Sequence, residues 1–165
     1  LPKNGSIDYQ KFAYSVANSE MIFTDQGNTP EGNIWVFGRE HMLRKSFITQ
    51  LKKSNILVTK KGIKIQGKSF HWENHSFVFT LPRTDTKKGI MTWVIAGNAE
   101  SIPGLIRKLP HYGKYGYLVF KGTAPKNIKK GIWPSNSVGM QKIFKDGNPR
   151  LLPDQKPLVA FLPFP

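Results

Sequence analysis

The chain contains no cysteine and only 10 Asp plus Glu among its 165 residues. The first absence excludes disulfides and thiolate metal sites, but leaves the compartment open, because many exported proteins also lack cysteine. The second works against chemistry that needs paired carboxylates: no two acids lie close together on a regular element, so a glycosidase-like dyad has no candidate. No apolar run approaches the roughly 20 residues needed to cross a bilayer. There is no Gly-x-Ser-x-Gly elbow, and "SNSVG" at 135–139 lies in an irregular stretch with no strand before it. No signal-like stretch precedes the first periodic segment and the chain opens on Leu1, so it reads as a piece cut from a longer protein.

What is abundant is positive charge: 25 Lys plus Arg, net +15. Such a field favours anionic surfaces and ligands, among them nucleic acid, anionic lipid and lipopolysaccharide. Lysine-dominated charge spread along a chain is first of all a solvated surface, which ranks nucleic acid below other partners. At 39% hydrophobic and 12% aromatic the chain is too apolar for disorder. Its length fits one domain that buries roughly two-thirds of its unfolded surface.

The periodicity changes along the chain. Phe12, Ala13, Val16 and Ala17 share one face of a helix over 6–17, with Ser6 as a cap, and "EMIFT" at 20–24 follows as a short strand. "NIWVF" at 33–37 is a continuous apolar run, the pattern of a strand covered on both faces. Leu43, Phe47, Ile48 and Leu51 then recur at helical spacing over 40–53, with Lys52 and Lys53 in the last turn where cations suit the helix dipole. "NILV" at 55–58 returns to strand, making a first βαβ unit. From 56 to 81 the alternation predicts an antiparallel meander that turns at Lys61-Gly62 and Gly67, with Phe70 and Trp72 facing Phe77 and Phe79 across Glu73-Asn74. "MTWVIA" at 91–96, a helix over 101–109 with Pro103 in its first turn, and "YGYLVF" at 115–120 make a second βαβ unit. The expected fold is a three-layer α/β domain, a mixed and mostly parallel sheet of two βαβ units with the meander inserted, over residues 1–122. Residues 123–165 hold seven of the twelve prolines and read as an irregular tail packing on the core or on a neighbouring domain.

Few groups invite chemistry. In "HWENH" at 71–75 the order is His-x-Glu-x-His, not the zinc-peptidase order, and the flanking alternation sets it at a turn, so neither a metal nor a catalytic role is assigned to it. His41 is expected in the first turn of its helix. The strand-to-helix turn carrying Gly97, Asn98 and Ser101 is a candidate anion site, since backbone N–H groups at such turns hold phosphates. Basic and aromatic residues interleave in "RKLPHYGKYGY" and "KNIKKGIW", which makes Arg107, Lys108, His111, Tyr112, Lys114, Lys129, Lys130 and Trp133 a candidate interaction surface. Packing of the tyrosines onto the sheet is the competing reading. No cofactor is expected.

The stretch "LPHYGKYGYLVFKGTAPKNIKKGIWPSNS", with "GNIWVFG" and "WVIAGNAESIPGLIRK" upstream, resembles a domain found outside the catalytic part of large bacterial aminopeptidase N-like (gluzincin) peptidases, over about residues 20–140. The catalytic part of that family carries His-Glu-x-x-His and a downstream glutamate, neither of which is here, so no catalytic residue carries over. The resemblance implies a non-catalytic accessory domain, excised from a larger bacterial hydrolase, whose partners are the other domains of its parent, with a periplasmic or cell-surface location. Two further readings stand beside it: a basic anion- or nucleic-acid-binding domain, and a small enzyme holding a phosphorylated ligand at the Gly97 turn.

Overall fold

The computed structural model describes residues 7–16, 29–86 and 88–133. They form three layers: two helices, a five-stranded sheet, and a second helix-plus-sheet layer. The elements run α1 (Ile7–Val16), β1 (Ile34–Phe37), α2 (Arg44–Lys53), β2 (Ile56–Val58), β3 (Gly62–Ile65), β4 (Lys68–His71), β5 (His75–Pro82), β6 (Ile90–Ile95), α3 (Ile102–Lys108), β7 (Tyr117–Lys121) and β8 (Lys126–Gly131), with 3-10 turns at Ala99–Ser101 and Leu109–Tyr112.

The large sheet has the order β1-β6-β5-β7-β8. Its central strands are apolar on both sides because both faces are covered. On β5, Phe77 and Phe79 point to one face and Val78 to the other; on β7, Tyr117 and Val119 oppose Leu118 and Phe120 in the same way. The first face packs against α2 through Phe47 and Leu51 and against the small sheet β2-β3-β4 through Ile56, Ile63, Ile65 and Phe70. The second is covered by Phe12 and Ala13 of α1 and by Ile102 and Leu105 of α3. Phe12 and Phe37 lie with ring centroids 5.3 Å apart, and the Ala96 amide donates to the Tyr9 hydroxyl at 2.9 Å, so α1 is fixed to both β1 and the end of β6.

The α/β class, with helices on a mixed sheet, is as the sequence predicts. The balance of strand directions is the reverse of that expected: β1 with β6 is a parallel pair, and every other pairing among the described residues is antiparallel. The first predicted βαβ unit does not form, because β2 leaves for the small sheet. Asn55 ends α2 in the left-handed region (φ 57), and a two-residue turn, Gln66 and Gly67, with φ of 50 and 82 then closes β3 onto β4. The short, tightly turned strands are satisfied by one another. The second unit does form, with a strand inside it: β6 and β7 both run antiparallel to β5, so they are parallel to each other across it.

Three further expectations are corrected. Glu73-Asn74 is not a hairpin tip, since β4 and β5 belong to different sheets; residues 72–74 are the corner that carries the chain between them. α2 starts at Arg44, leaving His41 in the preceding loop, where its Nδ1 accepts the Leu43 amide at 3.2 Å. The core does not end at residue 122: β8 pairs with β7 along its length, and Asn127 bridges the irregularity between them by donating to the Val119 and Lys129 carbonyls at 3.2 and 3.1 Å. The strand predicted at 20–24, "SNSVG" and the rest of the predicted tail from 134 lie outside the described residues. No helix among the described residues is long and apolar enough to cross a membrane.

Candidate anion-binding cleft

At the C-terminal end of β1 the chain turns through Gly38, at φ +86. Both backbone groups of Gly38 are tied to β6: its N–H donates to Val94 O at 2.9 Å, and its carbonyl accepts the buried Trp93 indole N–H at 2.7 Å. The loop that follows, from Arg39 to the first residue of α2, Arg44, is therefore held at its root. Facing it is the β2–β3 turn. Thr59 closes that turn twice on Gly62 O, by its N–H at 2.8 Å and its hydroxyl at 2.9 Å, and the Trp72 indole N–H donates to the Thr59 and Lys60 carbonyls at 3.3 and 3.1 Å.

Between these two loops lies a cleft of about 220 Å³ lined by Arg39, Glu40, Arg44, Thr59, Lys60, Trp72 and Trp93. The indoles form its floor, and their only donors are already used on the loops. The rim carries three cations and one carboxylate. Among the described residues, no ion pair engages Arg39, Arg44 or Lys60; the Arg83–Asp85 pair lies elsewhere. Arg39 and Lys60 are exposed and Arg44 is half-buried, so three cations without an ion pair among the described residues line an open cleft over two buried indoles, an arrangement that can give an anion charge-assisted hydrogen bonds. Arg39 also acts on Tyr9: burial pushes that phenol up, and the Ala96 amide and the Arg39 charge partly oppose it.

The sequence-derived candidates fall elsewhere. At the Gly97 turn, the Gly97 N–H donates to Ser76 Oγ at 3.0 Å and the Ser101 N–H to Asn98 Oδ1 at 2.9 Å, while the Ser101 hydroxyl donates to Asn98 O at 2.8 Å. Those donors are spent inside the fold. Glycine is required at 97 because a Cβ there would lie 2.9 Å from the His75 carbonyl oxygen and 3.1 Å from that of Trp72. In "HWENH", His75 Nδ1 donates to His71 O at 2.9 Å and its ring meets Phe70 edge-on at 5.5 Å, which stiffens the inter-sheet corner. No three His, Asp or Glu side chains among the described residues are grouped to hold a metal ion.

The candidate interaction surface is divided. Tyr112, Lys114 and Lys130 come together around Tyr115, with Lys130 Nζ 4.8 Å from the Tyr115 ring centroid. Lys108 is used inside the fold, donating to Pro125 O at 2.6 Å, and Lys129 turns toward the small sheet to donate to Gln66 Oε1 at 2.9 Å. Trp133 packs on Tyr117 at 5.3 Å and donates to Thr80 O at 2.5 Å, so it belongs to the core margin. Arg107 and His111 stay exposed.

No family model matches the chain, and no curated protein or solved structure matches it either.

Sequence reasoning missed the cleft because its lining comes from four separate places in the chain, the β1–α2 loop, the β2–β3 turn, the inter-sheet corner and the middle of β6. None of them is a motif. The one available signal was the pair of arginines at 39 and 44 bracketing the start of a helix.

Proposed function

We propose that this chain is a non-catalytic binding module that takes an anionic group, a carboxylate or a phosphate, in the cleft between the β1–α2 loop and the small sheet. What carries the reading is the convergence of Arg39, Arg44 and Lys60, none paired to a carboxylate among the described residues, on one cleft whose floor is fixed by two buried indoles. The resemblance of residues 20–140 to accessory domains of aminopeptidase N-like proteins supports a setting beside a hydrolase domain in a larger bacterial protein, where the bound anion is a side chain of that neighbour or a ligand shared with it.

Calorimetric titration with inorganic phosphate and with acetate, at low and at physiological salt, tests the module. Binding weakens with salt, and Arg44→Gln or Lys60→Gln each weakens it by roughly tenfold, the worth of one charge-assisted hydrogen bond. Absence of binding at low salt, or unaltered binding by both variants, removes the reading. The non-catalytic part is checked separately: zinc-loaded protein turns over no aminoacyl or peptide substrate, and turnover abolished by His71→Ala or Glu73→Gln would sink it.

A further inference from the structure

Tyr115 lies on the opposite side of the large sheet from the cleft and at its other end. It precedes β7, which runs parallel to β1, so the start of β7 and the end of β1 are at opposite ends. Leu118, the partner of Lys130 in the ladder, belongs to the α1–α3 face, whereas Trp72 and Trp93 of the cleft belong to the other. Around Tyr115 two ammonium groups gather, Lys114 Nζ at 5.4 Å and Lys130 Nζ at 4.8 Å from the ring centroid, and Lys130 is also 5.8 Å from Tyr112. These ammoniums bear on the Tyr115 hydroxyl and hold it below the ordinary phenol range, Lys130 first and Lys114 after it.

The charge around this cluster is one-sided. From residue 101 to 133 the sequence carries seven Lys or Arg and no Asp or Glu. Along β8, the last strand of the sheet order, exposed and half-buried residues alternate, and the exposed ones are cations alternating with isoleucines: Lys126, Ile128 at 41% exposure, Lys130, then Ile132 at 69% just beyond the strand. Lysine on a sheet edge is a common guard against aggregation and a single exposed apolar residue is ordinary, but here the two alternate over four successive outward positions of one edge. From these observations we infer that the β8 edge with the Tyr115 cluster is a docking surface for an extended acidic polypeptide segment in which carboxylates alternate with apolar residues.

The occupant is sought in another protein: residues 134–165 hold four Lys or Arg against two Asp, a second copy carries the same +15 charge, and the one acidic stretch of this chain, 12–38, offers only Glu20, Asp25 and Glu31, too widely spaced to alternate with apolar residues. Single-stranded nucleic acid needs aromatic faces free to stack bases, and the faces of Tyr112 and Tyr115 are already engaged by ammonium groups. A strand-like partner fits the spacing, because alternate residues of two adjacent extended chains repeat at the same interval of about 7 Å.

The test uses the full chain and a fluorescent peptide alternating glutamate with leucine, read by anisotropy, with amide shifts mapping the site. The peptide binds, shifts concentrate over 112–132, and the same peptide with lysine for glutamate does not bind. Lys114→Glu with Lys130→Glu weakens binding by about tenfold or more, two rim charges reversed, and restores binding to the lysine peptide. Ile128→Ser weakens it without changing its salt dependence. Circular dichroism and phosphate binding at the cleft stay unchanged in both variants, which separates failure of this surface from failure of the cleft. Shifts elsewhere, no sensitivity to the charge reversal, or tighter binding to DNA or to phosphatidylserine vesicles through the same residues overturns the inference.

Discussion

Replacing Arg83 by methionine tests the one buried charged side chain among the described residues. The guanidinium is 1% exposed, lies between the segment leading to β1 and the loop joining β5 to β6, and uses every side of its fork. Nη1 donates to Pro30 O at 2.5 Å and Gly32 O at 2.8 Å; Nε and Nη2 donate to the two oxygens of Asp85 at 3.0 and 2.6 Å. Methionine keeps much of the side-chain volume and removes all four bonds. Two backbone carbonyls then lose their partner, at about 1 kcal/mol or more each, and the Asp85 contribution is discounted because that side chain is 51% exposed. The sum is about 3 kcal/mol, or a fall in Tm of roughly 10 °C for a domain of this size. The acid limb adds a second reading. Its hydrogen bond to Arg83 holds the Asp85 carboxyl below the usual range, so it stabilises the fold above the unfolded carboxylate pKa near ~3.9, and that contribution is lost as pH falls through the depressed folded value. Arg83 itself is raised, chiefly by the hydrogen bonds it donates to Asp85, and stays charged throughout the accessible range. Thermal unfolding followed by tryptophan fluorescence, from neutral pH down to acid, measures both. A loss under about 1 kcal/mol, or an acid limb the same in Arg83→Met as in the parent, refutes the assignment of the clamp.

Other substitutions separate crowding, backbone conformation and hydrogen bonding. Gly97→Ala costs about 1–3 kcal/mol by urea titration because the new Cβ meets two carbonyl oxygens, whereas Gly67→Ala, with nothing within 4 Å but φ at +82, costs about 1–2 kcal/mol through backbone strain alone. Gly104→Ala would gain about 1 kcal/mol of helix propensity in an exposed helix, but here its Cβ runs into the Pro125 ring, so a net loss of stability is expected and a net gain would contradict that packing. Trp93→Phe frees the Gly38 carbonyl, costs about 2–4 kcal/mol, and weakens phosphate binding at the cleft by loosening the β1–α2 loop; a stability loss with full binding would show that the indole does not organise the site. Spectrophotometric titration of the phenols finds one ionising below the rest, and Tyr115→Phe or Lys130→Met abolishes that early component.

The sequence by itself determined which stretches are buried on two faces and which on one. The unbroken apolar runs around Val36, Phe79 and Trp93 had to be covered on both sides, and Phe12 with Ala13 had to find a sheet, because burial of apolar area is read directly from residue type and period. Partner choice was not legible in the same way. Whether "NILV" joins β1 in one sheet or turns on itself with β3 depends on Asn55 and on the Gln66–Gly67 turn adopting left-handed backbone, and on hydrogen bonds between strands far apart in the chain. β8 was missed because a lysine-rich edge strand has neither a strongly apolar face nor high strand propensity; pairing with β7 makes it a strand. The cleft was decided at the tertiary level alone. Arg39, Arg44, Lys60, Trp72 and Trp93 have no mutual spacing that any helix or strand period would reveal, and they meet only because two indole N–H groups, buried by packing, must bond backbone carbonyls and thereby draw two loops to one place.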